Sequence, residues 1–273
     1  MIVYVLSHNG LGDNLYMNGA LHFIRQFYDQ VFFLCKQQYY ENVQCFFDGN
    51  TNITCIPICT TNEYDETQKI LDFRKYIDVN TDIMICGPCH KCYLPSKITN
   101  KRFIEEVKIN KNYTIDYDTI TSSDYSFIES FYNDIGLNLT YFYEYFYLPT
   151  VNESIKMYDS IKKFYIVFIQ YKCSSGTTLN ISNLINKCIH NDKIILLCND
   201  VNLYNKDHSK YALAEQFVNN KLINYVDTIK NSDEIYLIDS CFVGIVLPLL
   251  KTNQLKARTV RIITLTDVHK HIF

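Results

Sequence analysis

The residues best suited to chemistry stand in a few short loops. His8-Asn9-Gly10-Leu11-Gly12-Asp13-Asn14 follows an apolar run at residues 2 to 7 and precedes a helical pattern. Two glycines separated by one residue let a backbone turn tightly and approach a ligand, and the helix behind them offers N–H groups to a carboxylate or phosphate. Asp13 has two readings here: a helix N-cap, or a base that takes the proton of an attacking hydroxyl. The loop is not a dinucleotide fingerprint, because the third glycine of that pattern would fall where Leu15 stands.

A second loop, Gln170 to Thr178, follows a strongly apolar run at 164 to 170. The hydroxyls of Ser174, Ser175 and Thr177, together with Gly176 and Lys172, suit a diphosphate held by helix-end amides and one cation. An ordinary capped loop is the plain alternative. Asp239-Ser240 closes a later apolar run and precedes a helix, so it reads as an N-cap, a ligand contact, or both. Cys86-Gly87-Pro88-Cys89-His90-Lys91-Cys92 invites a metal reading, but no second ligand pair has convincing spacing, and a loop with incidental thiols is the better account. His269 and His271 alternate near the end of the chain and form no cluster with the other histidines, so no metal is expected.

These loops need elements to position them. Residues 2–7, 31–35, 53–58 and 83–86 read as short buried strands, with helical spacing at 14–28 and 67–76 and a polar stretch around 36–42 between them. Strands that alternate with helices predict a parallel α/β sheet. Residues 100–150 break the rhythm with segments that read as helices or hairpins. A boundary falls near Pro149 to Ser154, giving domains at 1–152 and 153–273. The second half resumes with strands at 164–170, 194–198, 222–225, 235–238 and 259–264, and helices at 179–189, 210–218 and 242–250. Two such halves predict two nucleotide-binding-type domains facing a cleft, with ligands outside the carboxyl ends of the strands.

Composition sets limits on function. The chain has 273 residues, 48% of them hydrophobic, and a net charge of −3, with no long basic run, so a nucleic-acid groove built on bulk charge is not expected. Eleven cysteines scattered through apolar runs read as buried thiols in a reducing compartment. The opening MIVYVLSHNG has too short an apolar run for a secretory or membrane segment, so the expected location is cytoplasmic, in the host cytoplasm if the protein is viral. The excess of Ile, Asn, Tyr and Phe suits an A/T-rich genome of a microbe, protist or large DNA virus.

Gly10-Leu11-Gly12-Asp13-Asn14-Leu15 after the first strand resembles the opening of the bacterial heptosyltransferase family, and Asp239-Ser240 after strand 235–238 resembles its late Asp-Ser-Gly segment. The resemblance implies a GT-B glycosyltransferase fold and an inverting, metal-independent transfer of sugar from a nucleoside-diphosphate sugar to a glycan or glycoconjugate acceptor. It also implies that Asp13 is the catalytic base. Lys172, Ser174, Ser175, Thr177, Asp239 and Ser240 would bind the donor, and Gly10 and Gly12 are expected among the ligand-binding residues with them. The sequence departs from the family at Cys241, where the family has glycine, and in lacking a histidine just beyond it. That departure supports an alternative: a GT-B protein that binds nucleotide or glycan without transferring sugar.

Overall fold

A computed structural model describes residues 1–87, 96–107 and 124–263, within two compact units, Met1–Pro149 and Thr150–Phe273. In the first unit, β1 (Ile2–Leu6), β2 (Gln30–Lys36), β3 (Ile53–Ile58) and β4 (Asp82–Ile85) form a parallel sheet in the order β3-β2-β1-β4. Val3, Val5 and Leu6 of β1 and Val31, Phe33 and Leu34 of β2 are buried, as strands covered by helices on both faces require. The helices between the strands are α1 (Leu11–Tyr16), α2 (Asn18–Ile24), α3 (Tyr40–Cys45) and α4 (Glu63–Lys75). After β4 come α5 (Lys101–Val107), α6 (Asp124–Asn133) and α7 (Thr140–Glu144), so the described parts of 100–150 are helical. They cover α2 with rings: Phe23 lies 4.5 Å from Tyr141 and 5.0 Å from Tyr145, and the Tyr132 hydroxyl donates to the Tyr16 carbonyl at 2.7 Å.

The second unit opens with α8 (Asn152–Ile161), followed by β5 (Tyr165–Gln170), α9 (Ser182–Ile189), β6 (Ile194–Cys198), α10 (Tyr211–Glu215) and α11 (Val226–Asn231). β7 (Glu234–Ile238), α12 (Val243–Lys251) and β8 (Thr259–Ile263) complete it, and its sheet is parallel in the order β6-β5-β7-β8. The two units are thus Rossmann-like α/β layers.

Two local expectations are corrected, at 222–225 and 210–218, and the polar stretch after β2 gains an assignment. Leu222–Tyr225 is a 3-10 turn that runs into α11, not a strand. Its Leu222, Ile223 and Tyr225 are buried, and periodicity cannot separate so short an apolar run from a buried helical turn. The polar stretch after β2 contains a 3-10 turn at Gln37–Tyr39 and then α3, whose one buried side chain, Val43, gives little pattern to read. The helix expected over 210–218 is confined to α10.

Strand order reverses once in each sheet. In the first unit the reversal lies between β1 and β4, and in the second between β5 and β7. Such switch points, at the carboxyl ends of the strands, are where open α/β sheets leave a crevice for ligands.

Candidate functional site

At the first switch point Gly10 occupies the N-cap of α1, and its N–H donates to Asp13 Oδ2 at 3.1 Å. A Cβ at Gly10 would lie 2.5 Å from that same oxygen, so glycine is what lets the carboxylate fold back over the loop. Asp13 is therefore the third helical residue, not the cap, and reaches the capping amide from inside the helix. Gly12 lies in the first turn of α1, while Asn14 Nδ2 donates to the Gly10 carbonyl at 2.9 Å. Across the switch point Gly87 adopts φ +92°, and a Cβ there would fall 2.5 Å from the His8 ring.

Sequence reasoning missed the group that fastens this loop. Glu66 of α4 is 4% exposed, and its Oε1 accepts the Asn9 N–H at 3.0 Å and Asn9 Nδ2 at 3.1 Å. Its Oε2 pairs with Lys36 Nζ at 2.9 Å, and the Lys36 N–H donates to the Asn9 carbonyl at 3.2 Å. Burial pulls the Lys36 pKa down, but Glu66 outweighs it, with Tyr39 and Asp13 adding, so the net shift is upward and the ammonium stays charged. Lys36, Thr60, Thr61 and Lys69 line a cavity of about 610 Å³ beyond the carboxyl ends of β2 and β3. A lysine that ends an apolar strand at this edge was the available signal.

At the second switch point Gln170 pairs in register with Leu237, so the chain leaves β5 and β7 side by side, toward Lys172 and Asp239. Lys172 and Thr178 form a bridge, and the loop between them turns through Gly176 at φ +86°. The Cys173 N–H donates to the Thr177 carbonyl at 3.1 Å, and the Ser175 hydroxyl lies 3.0 Å from that of Thr177. This loop is a hairpin turn standing clear of the start of α9 at Ser182, so the amides near it belong to the turn. Lys172, Ser174 and Ser175 are exposed and Thr177 is half-buried. Gln170 is buried, and its Nε2 donates to Asp200 Oδ2 at 2.6 Å and to the Lys172 carbonyl at 2.8 Å, which ties β6 to the base of the turn.

Asp239 donates its N–H to the Ile263 carbonyl at 3.0 Å, and the Ser240 hydroxyl is buried without a hydrogen-bond partner. Cys241 precedes α12; burial, with Asp200 adding, pushes its thiol up to about 12, so it is an uncharged sulfur at neutral pH.

The structure thus gathers Gly10, Gly12 and Asp13 at one edge and Lys172, Ser174, Ser175, Thr177, Asp239 and Ser240 at another. Cys89, His90, Cys92, His269 and His271 lie outside the described residues. Among the described residues no group of three or more His, Cys, Asp and Glu is placed to hold a metal, and no helix is long and apolar enough to cross a membrane.

No protein-family model matches the chain, and no curated protein matches it in sequence. Solved structures do match. A glycosyl transferase family 9 protein from Veillonella parvula DSM 2008 aligns over 98% of this chain and 87% of its own, with a TM-score of 0.56 and 10% identity. The E. coli heptosyltransferase WaaC with ADP aligns over 96% of this chain and 91% of its own, with a TM-score of 0.50 and 13% identity. E. coli ADP-heptose lps heptosyltransferase II covers 96% and 90%, with a TM-score of 0.50 and 10% identity. At these identities the likeness is one of fold.

Proposed function

From the GT-B fold that this chain shares with glycosyltransferase family 9 and heptosyltransferase structures, we propose that it moves a sugar from a nucleoside-diphosphate sugar to an acceptor hydroxyl. The observation that carries the reading is the position of both loops: each lies at the switch point of its own sheet, within a fold matched along nearly the whole chain. The first unit serves the acceptor and the second the donor. The acceptor oxygen attacks the anomeric carbon, the bond from that carbon to the diphosphate breaks, and Asp13 takes the acceptor proton. This is an inverting displacement.

Negative charge builds on the departing diphosphate. Lys172 and the hydroxyls of Ser174, Ser175 and Thr177 meet it from the turn after β5, and Ser240 and the first amides of α12 meet it from β7. In this scheme protein cations and dipoles do the work that a metal does elsewhere. Asp239 fixes the approach to α12, while Gly10 and Gly12 keep the first loop low enough for the acceptor to reach Asp13. The unpartnered Ser240 hydroxyl supports this reading, since a phosphate oxygen supplies the acceptor it lacks. The acceptor is a glycan or glycoconjugate.

Cys241 in place of the family's glycine, with no histidine just beyond it, favours one competing reading, a protein of the same fold that binds nucleotide or glycan without transfer. Thermal shift with UDP-, GDP-, ADP-, CMP- and dTDP-sugars tests what the two readings share. A ligand at a hundredfold excess over its Kd stabilises the native chain by about 2.7 kcal/mol, and no response to any of the five contradicts transfer and nucleotide binding alike. Release of nucleoside diphosphate together with a glycosylated product then selects the enzyme.

A further inference from the structure

The amino edge of the first sheet carries a second feature, separate from the proposed transfer site. Arg25 follows α2 and leads toward β2, and Asp48-Gly49-Asn50 follows α3 and leads toward β3. With His22 of α2 and the segment Glu144 to Tyr147 they line an open cavity of about 460 Å³, within the size range of small-molecule sites.

His22 is the anomaly. It is 5% exposed on a helix whose other buried members include Ala20, Leu21, Phe23 and Ile24, and its ring packs 5.6 Å from that of Phe47 and 5.5 Å from that of Tyr147. Burial, with Arg25 adding, lowers its pKa to about 4 against an opposing hydrogen bond to the Tyr147 backbone, so the ring is neutral at physiological pH. Nε2 has no hydrogen-bond partner, and the contact with Tyr147 falls to Nδ1, leaving Nε2 as an acceptor. A phenylalanine would fill the same space without burying an unmet polar atom, so the imidazole is the costlier choice unless something donates to it.

We propose that this cavity binds a neutral saccharide unit of one or two rings, with a sugar hydroxyl donating to His22 Nε2. Three features select that class. Asp48 and Glu144 place two carboxylates among the lining residues and disfavour a phosphate or other anion. Arg25, whose guanidinium is hydrogen-bonded to Asn50, is a fixed donor that a protonated amine cannot satisfy, whereas a hydroxyl both accepts and donates. Tyr145, Phe146 and Tyr147 offer rings to the apolar face of a sugar. Nε2 is shielded from solvent, so the proposed contact requires Tyr147, 54% exposed and packed against the imidazole, to turn aside on binding.

The inference rests on a different edge of the sheet from the proposed transfer site and does not depend on that function. The test is a titration of the full chain with glucose, N-acetylglucosamine and maltose, read at the His22 Nε2 resonance by nitrogen-15 NMR, with inorganic phosphate and putrescine as controls. At least one sugar is expected to move that resonance saturably, and H22F, followed by calorimetry because it lacks the resonance, to bind that sugar about tenfold more weakly. The proposal is overturned if no sugar moves the resonance near its solubility limit, if phosphate or putrescine moves it instead, or if a folded H22F binds the sugar as tightly as wild type. Because the wild-type resonance gives a result of its own with each sugar and each control, a poorly folding H22F does not affect the test.

Discussion

Gly10 and Gly176 both lie in loops that leave the first strand of a unit, yet they are glycine for opposite reasons. Gly10 has an ordinary extended backbone, φ −66° and ψ 159°, and no room: a Cβ would strike the Asp13 carboxylate. Gly176 has open space within 4 Å and a left-handed φ of +86° that other residues rarely adopt. The first loop is shaped by what packs against it, with a buried glutamate gripping Asn9 and Lys36. The second is shaped by its own turn, with exposed hydroxyls and one buried amide, Gln170, at its base. A loop that fixes one carboxylate suits the step in which a proton moves. A loop that offers several donors from an exposed turn suits a ligand that arrives and leaves.

That contrast can be broken from either side. The largest effect is expected at Asp13: D13N keeps an oxygen for the Gly10 amide but removes the proposed base, so transfer should fall about 10²- to 10⁴-fold while donor affinity stays near wild type. Steady-state transfer with the responsive nucleotide sugar, beside calorimetric donor binding, checks both halves.

Next is the fastening. E66A leaves the Asn9 donors unmet and Lys36 without its counter-ion, and should cost about 3 kcal/mol in urea unfolding. Near it in size is a pH effect on the opposite edge. His22 has a native pKa of about 4 against 6.5 unfolded, so the unfolded chain binds the extra proton between those values. Stability from this group is complete above pH 6.5 and declines as pH falls toward 4, by about 3 kcal/mol across the window. The difference between wild-type and H22F unfolding curves isolates it.

Smallest are the glycines. G10A should lose about 1 kcal/mol by displacing Asp13 from the cap, and G176A should lose a similar amount through backbone conformation alone. A double variant with D13A separates them: with the carboxylate gone, G10A has nothing left to strike, whereas the cost of G176A is unchanged.

The sequence displayed the apolar strands and the loops at their carboxyl ends, because buried parallel strands are short unbroken runs and glycine marks the turn after β1. It misplaced Leu222–Tyr225, since a buried 3-10 turn and a buried strand share one composition. Glu66 was invisible for a different reason. It stands in EYDETQK, among charged neighbours of the same helix, and only tertiary packing makes this one carboxylate the buried anchor of a loop 57 residues earlier. Asp13 was legible as a residue at the right place, but its reach back to Gly10 appears only in three dimensions. His22 shows no pattern either, because a single imidazole on an apolar helix reads as ordinary core.

The central claim is that the second switch point takes the nucleoside diphosphate of a sugar donor. Hydrogen exchange of the full chain with and without ADP, UDP and GDP tests it most directly. The account predicts that one nucleotide slows exchange in residues 171–178 and 239–244 and leaves residues 22–26 at the opposite edge of the first sheet unchanged. Saturating nucleotide that protects neither of the first two segments, or only the third, would contradict it.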